Sequence, residues 1–169
     1  MDAPACCFTG HRPIKLPAEG REDAPEIIRL KQRLRAEIEK QCDKGINVFI
    51  TGMAMGVDIW CAEAVIELRK ARPDKRIILM AAVPHPHQTS KWPKAWKERY
   101  NEVSKEVNVT TIMCPRYITG CMQVRNRFMV ENSGVCIAVY DGSSGGTQYT
   151  VKHAEKLEKE VIRIDPNEV

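Results

Sequence analysis

Short apolar runs alternate along the chain with longer stretches in which apolar residues recur every three or four positions, the pattern of repeated βα units feeding a parallel sheet. The runs Ala5 to Thr9, Val48 to Thr51, Arg76 to Val83, Val109 to Met113, Val135 to Tyr140 and Val161 to Ile164 carry few charges, and each is read as a strand buried on both faces. Between the first two, Ile27, Leu30, Leu34, Ile38 and Cys42 form one helical stripe among Arg, Lys and Glu, which Gly45 stops. A second helix is predicted from Val57 to Ala71, with Val57, Cys61, Ala64, Val65 and Leu68 on one side and Pro73 just past its end. A third, from Pro93 to Val107, carries a core stripe of Trp96, Tyr100, Val103 and Val107, with Pro93 in its first turn. Helices near Gln123 to Asn132 and Gly146 to Lys159 complete the alternation. The fold expected is a single Rossmann-like α/β domain over residues 1–169, a doubly wound, mainly parallel sheet of about six strands with helices on both faces.

Composition narrows the setting. At 169 residues with 43% hydrophobic and 28% charged positions, one core suffices for folding. The formal charge of +4 favours an anionic ligand without reaching the footprint of a dedicated nucleic-acid binder. The seven cysteines include no Cys-x-x-Cys pair and mostly lie in apolar runs, where a thiol acts as a small hydrophobe. With no signal-peptide pattern at Met1 to Pro4 and no apolar stretch of membrane length, the chain is expected to be cytoplasmic and without a membrane partner.

In open α/β sheets ligands bind beyond the carboxyl ends of the strands, so the loops leaving those ends carry the candidate chemistry. The strongest is Asp141-Gly142-Ser143-Ser144-Gly145-Gly146-Thr147, whose glycines admit close backbone approach while the helix start offers free N–H groups and a positive dipole end, a combination suited to phosphate. Asp141 is placed either to accept from a ribose hydroxyl or to cap the turn. The loop Gly52-Met53-Ala54-Met55-Gly56-Val57-Asp58 fits either ligand approach or close packing of helix on sheet, and Asp58 either a site role or complementing of the helix dipole. Gly10-His11-Arg12 places a guanidinium after the first strand, for a phosphate or a surface ion pair. Arg125 and Asn126 open the fourth helix, aimed back over the strand ends or part of a solvated basic face. Gln88 and Trp92 follow the third strand, where the loop either closes over a base or packs on the core. His85-Pro86-His87 has no acidic or cysteine partner nearby, so no metal is expected, and no hydrolase triad is expected either.

As an ordered set, Thr9-Gly10-His11-Arg12, Thr51-Gly52 through Asp58, Pro84 with Gln88 and Trp92, Arg125-Asn126 with Met129, and Asp141-Gly142 with Gly145-Gly146-Thr147 resemble the YpsA-like family of the SLOG superfamily, nearly end to end. That superfamily also groups the LOG phosphoribohydrolases and the DNA-processing protein DprA. The resemblance implies a Rossmann-like fold whose glycine loops hold a nucleotide or a NAD-derived ligand such as ADP-ribose, with no required cofactor. LOG enzymes carry Pro-Gly-Gly-x-Gly-Thr-x-x-Glu and an arginine on the preceding helix, and cleave the N-glycosidic bond of nucleoside monophosphates. Met122-x-x-Arg125-Asn126 is similar to that helix, but the position three after Thr147 is Thr150, and threonine does poorly the work of a carboxylate at an oxocarbenium-like centre.

The leading expectation is therefore a nucleotide-binding or sensing domain with a small-molecule nucleotide as partner. A nucleotide N-glycosidase is the alternative, with Asp58 and Asp141 as weak catalytic candidates and Glu63 as a further carboxylate, so enzyme status stays undecided. A single-strand nucleic-acid module is a third reading, disfavoured because no basic groove is interleaved with exposed aromatics. Homo-oligomerisation is left open.

Overall fold

The computed structural model describes residues 5–169. Six strands, β1 (Ala5–Gly10), β2 (Val48–Thr51), β3 (Ile78–Val83), β4 (Val109–Ile112), β5 (Val135–Val139) and β6 (Glu160–Ile164), alternate with five helices, α1 (Pro25–Asp43), α2 (Val57–Ala71), α3 (Lys94–Glu106), α4 (Cys121–Glu131) and α5 (Gly146–Lys156). The strands form one sheet in the order β4-β3-β2-β1-β5-β6, and every neighbouring pair is parallel. From β1 the chain winds outward through β2, β3 and β4, then crosses back to add β5 and β6 on the other side of β1. The strand order therefore reverses between β1 and β5, where loops diverge and leave a crevice.

Both faces of the central strands are covered. On one, Phe8 stacks on Phe49 with ring centroids 6.1 Å apart, and Ile27, Leu30, Leu34 and Ile38 of α1 and Ile59 and Val65 of α2 close over them. On the other, Cys7, Ile50 and Ala138 meet Met129 of α4 and Val151 and Ala154 of α5. Alternate β1 residues thus point into two separate cores, which is why the run Ala5 to Phe8 is apolar without a break. All seven cysteines are buried and unpaired. The α1 stop is a Schellman arrangement. Gly45, at φ +100°, donates to Cys42 O at 3.0 Å, and Ile46 donates to Gln41 O at 3.1 Å.

The structure departs from the sequence expectation in identifiable places. β4 and β6 are the two sheet edges, with Val109 47% and Ile112 51% exposed in β4 and only Ile164 buried in β6, so neither is buried on both faces; apolar composition marks a strand but not its place in the order. β3 begins at Ile78, because a short 3₁₀ turn at Pro73–Lys75 ends with Arg76 in the left-handed region. Pro93 precedes α3 as its cap rather than opening it. On the α3 stripe only Val103 is buried, whereas Trp96, Tyr100 and Val107 are half-buried against the core. Helix α4 starts two residues early, at Cys121 after Gly120 at φ +88°, and α5 stops at Lys156, with Glu158 left-handed at φ +56°. Among the described residues, no helix is long and apolar enough to cross a membrane.

Candidate functional site

The crevice at the strand reversal is built from the loops after β1, β2 and β5 and the start of α4. Gly10 ends β1 against α2, where a Cβ would lie 2.6 to 2.8 Å from three side-chain atoms of Val57. Only glycine permits that approach, and it sets the strand end directly beside the helix start. His11 N donates to Val139 O at 3.3 Å, carrying the β1–β5 pairing one residue further. The His11 ring is buried, and its Nε2 lies 2.8 Å from Asp141 Oδ1, lacing the two loops together across the reversal. Asp141 Oδ1 also accepts from Ser143 N at 2.8 Å. Those bonds to Ser143, and then the one to His11, hold the Asp141 carboxyl well below the usual carboxylate range. Arg12 follows, half-buried and extended, and a 3₁₀ turn at Pro13–Lys15 swings Lys15 round to donate from Nζ to Ser144 O at 3.3 Å.

The loop after β2 is closed upon itself. Thr51 Oγ1 accepts from Met53 N at 3.1 Å and donates to Asp58 O at 3.0 Å, and Ala54 N donates to Asp58 Oδ2 at 3.2 Å. Met53 is held at φ +57°, a conformation that the bond to Thr51 supports. Gly52 O accepts from Arg125 Nη1 at 2.6 Å, which anchors α4 to this loop. A Cβ on Gly52 would stand 2.7 Å from both Arg125 Nη1 and Asp58 Oδ2, so the glycine leaves the space these two charged ends occupy. Burial raises the Asp58 pKa above its ordinary value, opposed by the Arg125 charge, the Ala54 N–H and the Arg12 charge. Burial likewise lowers the Arg125 pKa, opposed by Asp58. Arg125 Nε donates to Asn126 Oδ1 at 2.7 Å, while Nη2 has the Met122 sulfur at 3.9 Å.

The loop after β5 is open. Gly145 precedes α5 at φ +144°, no side chain caps the helix start, and a Cβ on Gly146 would meet nothing within 4 Å. The first-turn N–H groups of α5, with the positive end of its dipole, therefore present an uncapped donor set. Thr150, where a glutamate would stand in a LOG enzyme, is buried in this helix, its hydroxyl bonded to Gly146 O at 2.9 Å.

These loops enclose a cavity of about 220 Å³. It brings together Gly10, His11, Arg12, Ala54, Asp58, Arg125, Asn126, Gly145, Gly146 and Thr147 from the predicted set. Gly52, Met53 and Gly56 are buried around it and shape the loop behind Asp58. Asp141, Gly142, Ser143 and Ser144 stand outside its lining, where Asp141 serves the turn and His11. Gln88 and Trp92 line a separate, neighbouring cavity of about 530 Å³ together with His85 and Tyr117. Thr9, Ile14, Lys15 and Met122 also line the first cavity and were not among the predicted residues. The one available signal for Lys15 was a basic residue two positions after Pro13, in a loop already carrying His11 and Arg12.

An all-parallel, doubly wound sheet with a crevice at its order reversal defines a Rossmann-like α/β protein. The YpsA family model, described as the YspA SLOG family, matches residues 6–166, and the chain belongs to that family. It is 31% identical over 161 residues to the SPbeta prophage-derived protein YoqJ of Bacillus subtilis, covering 85% of this chain and 91% of YoqJ. It is also 26% identical over 166 residues to a UPF0398 protein of Oceanobacillus iheyensis, covering 95% and 88% of the two chains. Among solved structures, the fold is similar to DNA processing protein A of Helicobacter pylori, described for its single-stranded DNA binding mode, with a TM-score of 0.60 at 20% identity over 95% of this chain. It is similar also to the Streptococcus pneumoniae protein of the same name, with a TM-score of 0.56 at 15% identity over 96% of this chain. The chain spans 64% and 50% of those two proteins, respectively.

Proposed function

We propose that the cavity at the β1–β5 reversal binds the phosphate of a nucleotide or of a NAD-derived ligand of the ADP-ribose kind. The observation that carries this reading is the uncapped start of α5, with open space at Gly146, on the same cavity as Arg12, Lys15 and the buried Arg125. Backbone donors, a dipole end and guanidinium groups converging on one small cleft make an anion site, and glycine at the contact lets the phosphate reach the N–H groups. Titration calorimetry and thermal shift with ADP-ribose, AMP and NAD test it. A saturable stabilisation that grows with ligand concentration is expected, and the absence of binding to all three would remove the reading. A single-stranded oligonucleotide belongs in the same panel because of what the H. pylori neighbour is described as binding. Binding of the oligonucleotide alone, weakening steeply with salt, would replace the nucleotide reading by a nucleic-acid one.

A second reading, hydrolysis of the N-glycosidic bond, is favoured by one feature. Asp58 lines the cavity, is buried, and burial raises its pKa, so a carboxyl group stands in the same cavity as the start of the helix that carries Thr150. A buried carboxyl of this kind suits proton transfer to a leaving base. Incubation with nucleoside monophosphates and chromatography for released base decides it. Turnover lost in Asp58→Asn supports the reading, and no release by the wild-type chain removes it.

A further inference from the structure

The cavity at the β1–β5 reversal is small for a whole nucleotide. Its volume of about 220 Å³ falls below the roughly 300 Å³ at which pockets begin to enclose a complete small-molecule ligand. A nucleotide with its phosphate on the α5 start therefore extends to the mouth of the cavity, and the mouth has one unusual feature. Of the apolar residues that line the cavity, Phe8 and Ala54 are buried and Met122 is half-buried, whereas Ile14 is 70% exposed. No other large apolar side chain among the described residues is as exposed.

A lone exposed apolar side chain is ordinary on a protein surface, but this one is distinguished by its place. Arg12 and Lys15, on either side of it in the chain, line the same cavity. The 3₁₀ turn that carries it is fixed at both ends. Lys15 N donates to Arg12 O and Leu16 N to Pro13 O, each at 2.9 Å. Pro13 packs closely on Gly20 and Gly56, where an added Cβ would stand 2.8 Å and 3.1 Å from the ring, and the Leu16 side chain is buried. Lys15 Nζ reaches Ser144 O, and a Cβ on Gly145 would stand 3.4 Å from it, so the turn borders the α5 start. An apolar side chain held out on a rigid turn beside the phosphate donors is contact surface that needs no reordering when a ligand covers it.

We propose that Ile14 is the platform on which the base of the bound nucleotide lies, at the mouth of the cavity whose interior holds the phosphate. The inference rests on the phosphate reading above and adds to it the place of the base and the kind of selection it meets. An aliphatic side chain offers apolar burial and dispersion but no hydrogen bond, so the platform accepts a planar base without reading its edge. The neighbouring cavity, with the exposed Tyr117 in its wall, is the competing place for a base. Ile14 is favoured because its own turn also carries Arg12 and Lys15 and adjoins the helix start.

Calorimetric titration of the full chain with AMP, IMP and ribose 5-phosphate tests the assignment, repeated on Ile14→Ser, Ile14→Leu and Tyr117→Ala. The wild-type chain is expected to bind AMP about tenfold more tightly than ribose 5-phosphate, and IMP within about threefold of AMP. Ile14→Ser, a change at an exposed position, is expected to weaken AMP about five- to tenfold while ribose 5-phosphate affinity and the thermal midpoint stay unchanged. Ile14→Leu should keep the wild-type affinities, and so should Tyr117→Ala. Equal binding of AMP and ribose 5-phosphate by the wild-type chain, or full AMP affinity in Ile14→Ser, overturns the platform while the phosphate reading stands. So does a loss in Ile14→Ser that is as large for ribose 5-phosphate as for AMP, or a loss of AMP binding confined to Tyr117→Ala. A larger preference for AMP over IMP also overturns it, since the base edge would then be read by other groups. Binding of none of the three ligands overturns both readings together.

Discussion

The loops after β2 and β5 flank the β1 loop on either side, both are rich in glycine, and they do opposite things. The loop Gly52 to Asp58 is tied down inside the protein: Thr51 holds Met53 and Asp58, Ala54 binds the Asp58 carboxylate, and Arg125 binds the Gly52 carbonyl. In Asp141 to Thr147 the chain is exposed from Gly142 to Gly146, and the helix that follows starts without a side-chain cap. Glycine serves close packing in the first loop and external access in the second. The difference teaches that a Gly-rich strand-to-helix junction acquires its meaning from what stands where the missing Cβ would be: Arg125 and Asp58 at Gly52, nothing at Gly146.

Mutations on the two sides should separate accordingly. The largest effect is expected for Arg125→Met, which removes the guanidinium from Gly52 O and leaves Asp58 buried without its main opposing charge. A loss of about 3 kcal/mol in chemical denaturation is expected, and a loss below about 1 kcal/mol would show that the closed loop does not depend on this arginine. Gly10→Ala comes next. Its Cβ would press on the stiff, branched Val57 side chain at 2.6 to 2.8 Å, and overpacking of that kind costs about 2 kcal/mol.

On the open side, Gly146→Val should leave stability within roughly 0.5 kcal/mol, because space is free there. It should weaken AMP or ADP-ribose binding about tenfold or more by standing between phosphate and the backbone N–H groups. Full affinity in this variant would remove the main support for the α5 site. The smallest effect belongs to Asp141→Asn. Because its folded pKa is lowered, the Asp141 carboxylate contributes stability that is complete above its unfolded value, roughly pH 4, and is lost as the pH falls through the lower folded value. The contribution of this partly exposed group should be under about 1 kcal/mol. The stability gap between wild type and Asn should therefore narrow on acidification below pH ~4, and a gap independent of pH would show that the carboxylate charge plays no part.

The sheet was largely legible in the chain, since buried parallel strands need uninterrupted apolar runs and their crossover helices need one apolar stripe each. The Schellman stop at Gly45 and the Pro73 boundary were equally local, and each depends on the conformational limits of one residue. The open side of the site was legible for the same reason, because Gly145-Gly146-Thr147 at a helix start is a local device. Sequence alone could not distinguish ligand approach from packing at Gly52 to Asp58, nor say whether Asp141 serves a ribose or a turn. Those answers depend on residues far away in the chain: Arg125 lies 73 positions from Gly52, and His11 lies 130 from Asp141. The exposure of β4 was settled by strand order, and the grouping of His85, Gln88, Trp92 and Tyr117 by two separate loops meeting over one end of the sheet. The sequence by itself determined the elements and their glycine punctuation, because backbone sterics and hydrophobic period act over a few residues. Only the tertiary structure decided which polar groups are already satisfied and which are left open, because hydrogen-bond partners and burial are properties of chain segments brought together from a distance.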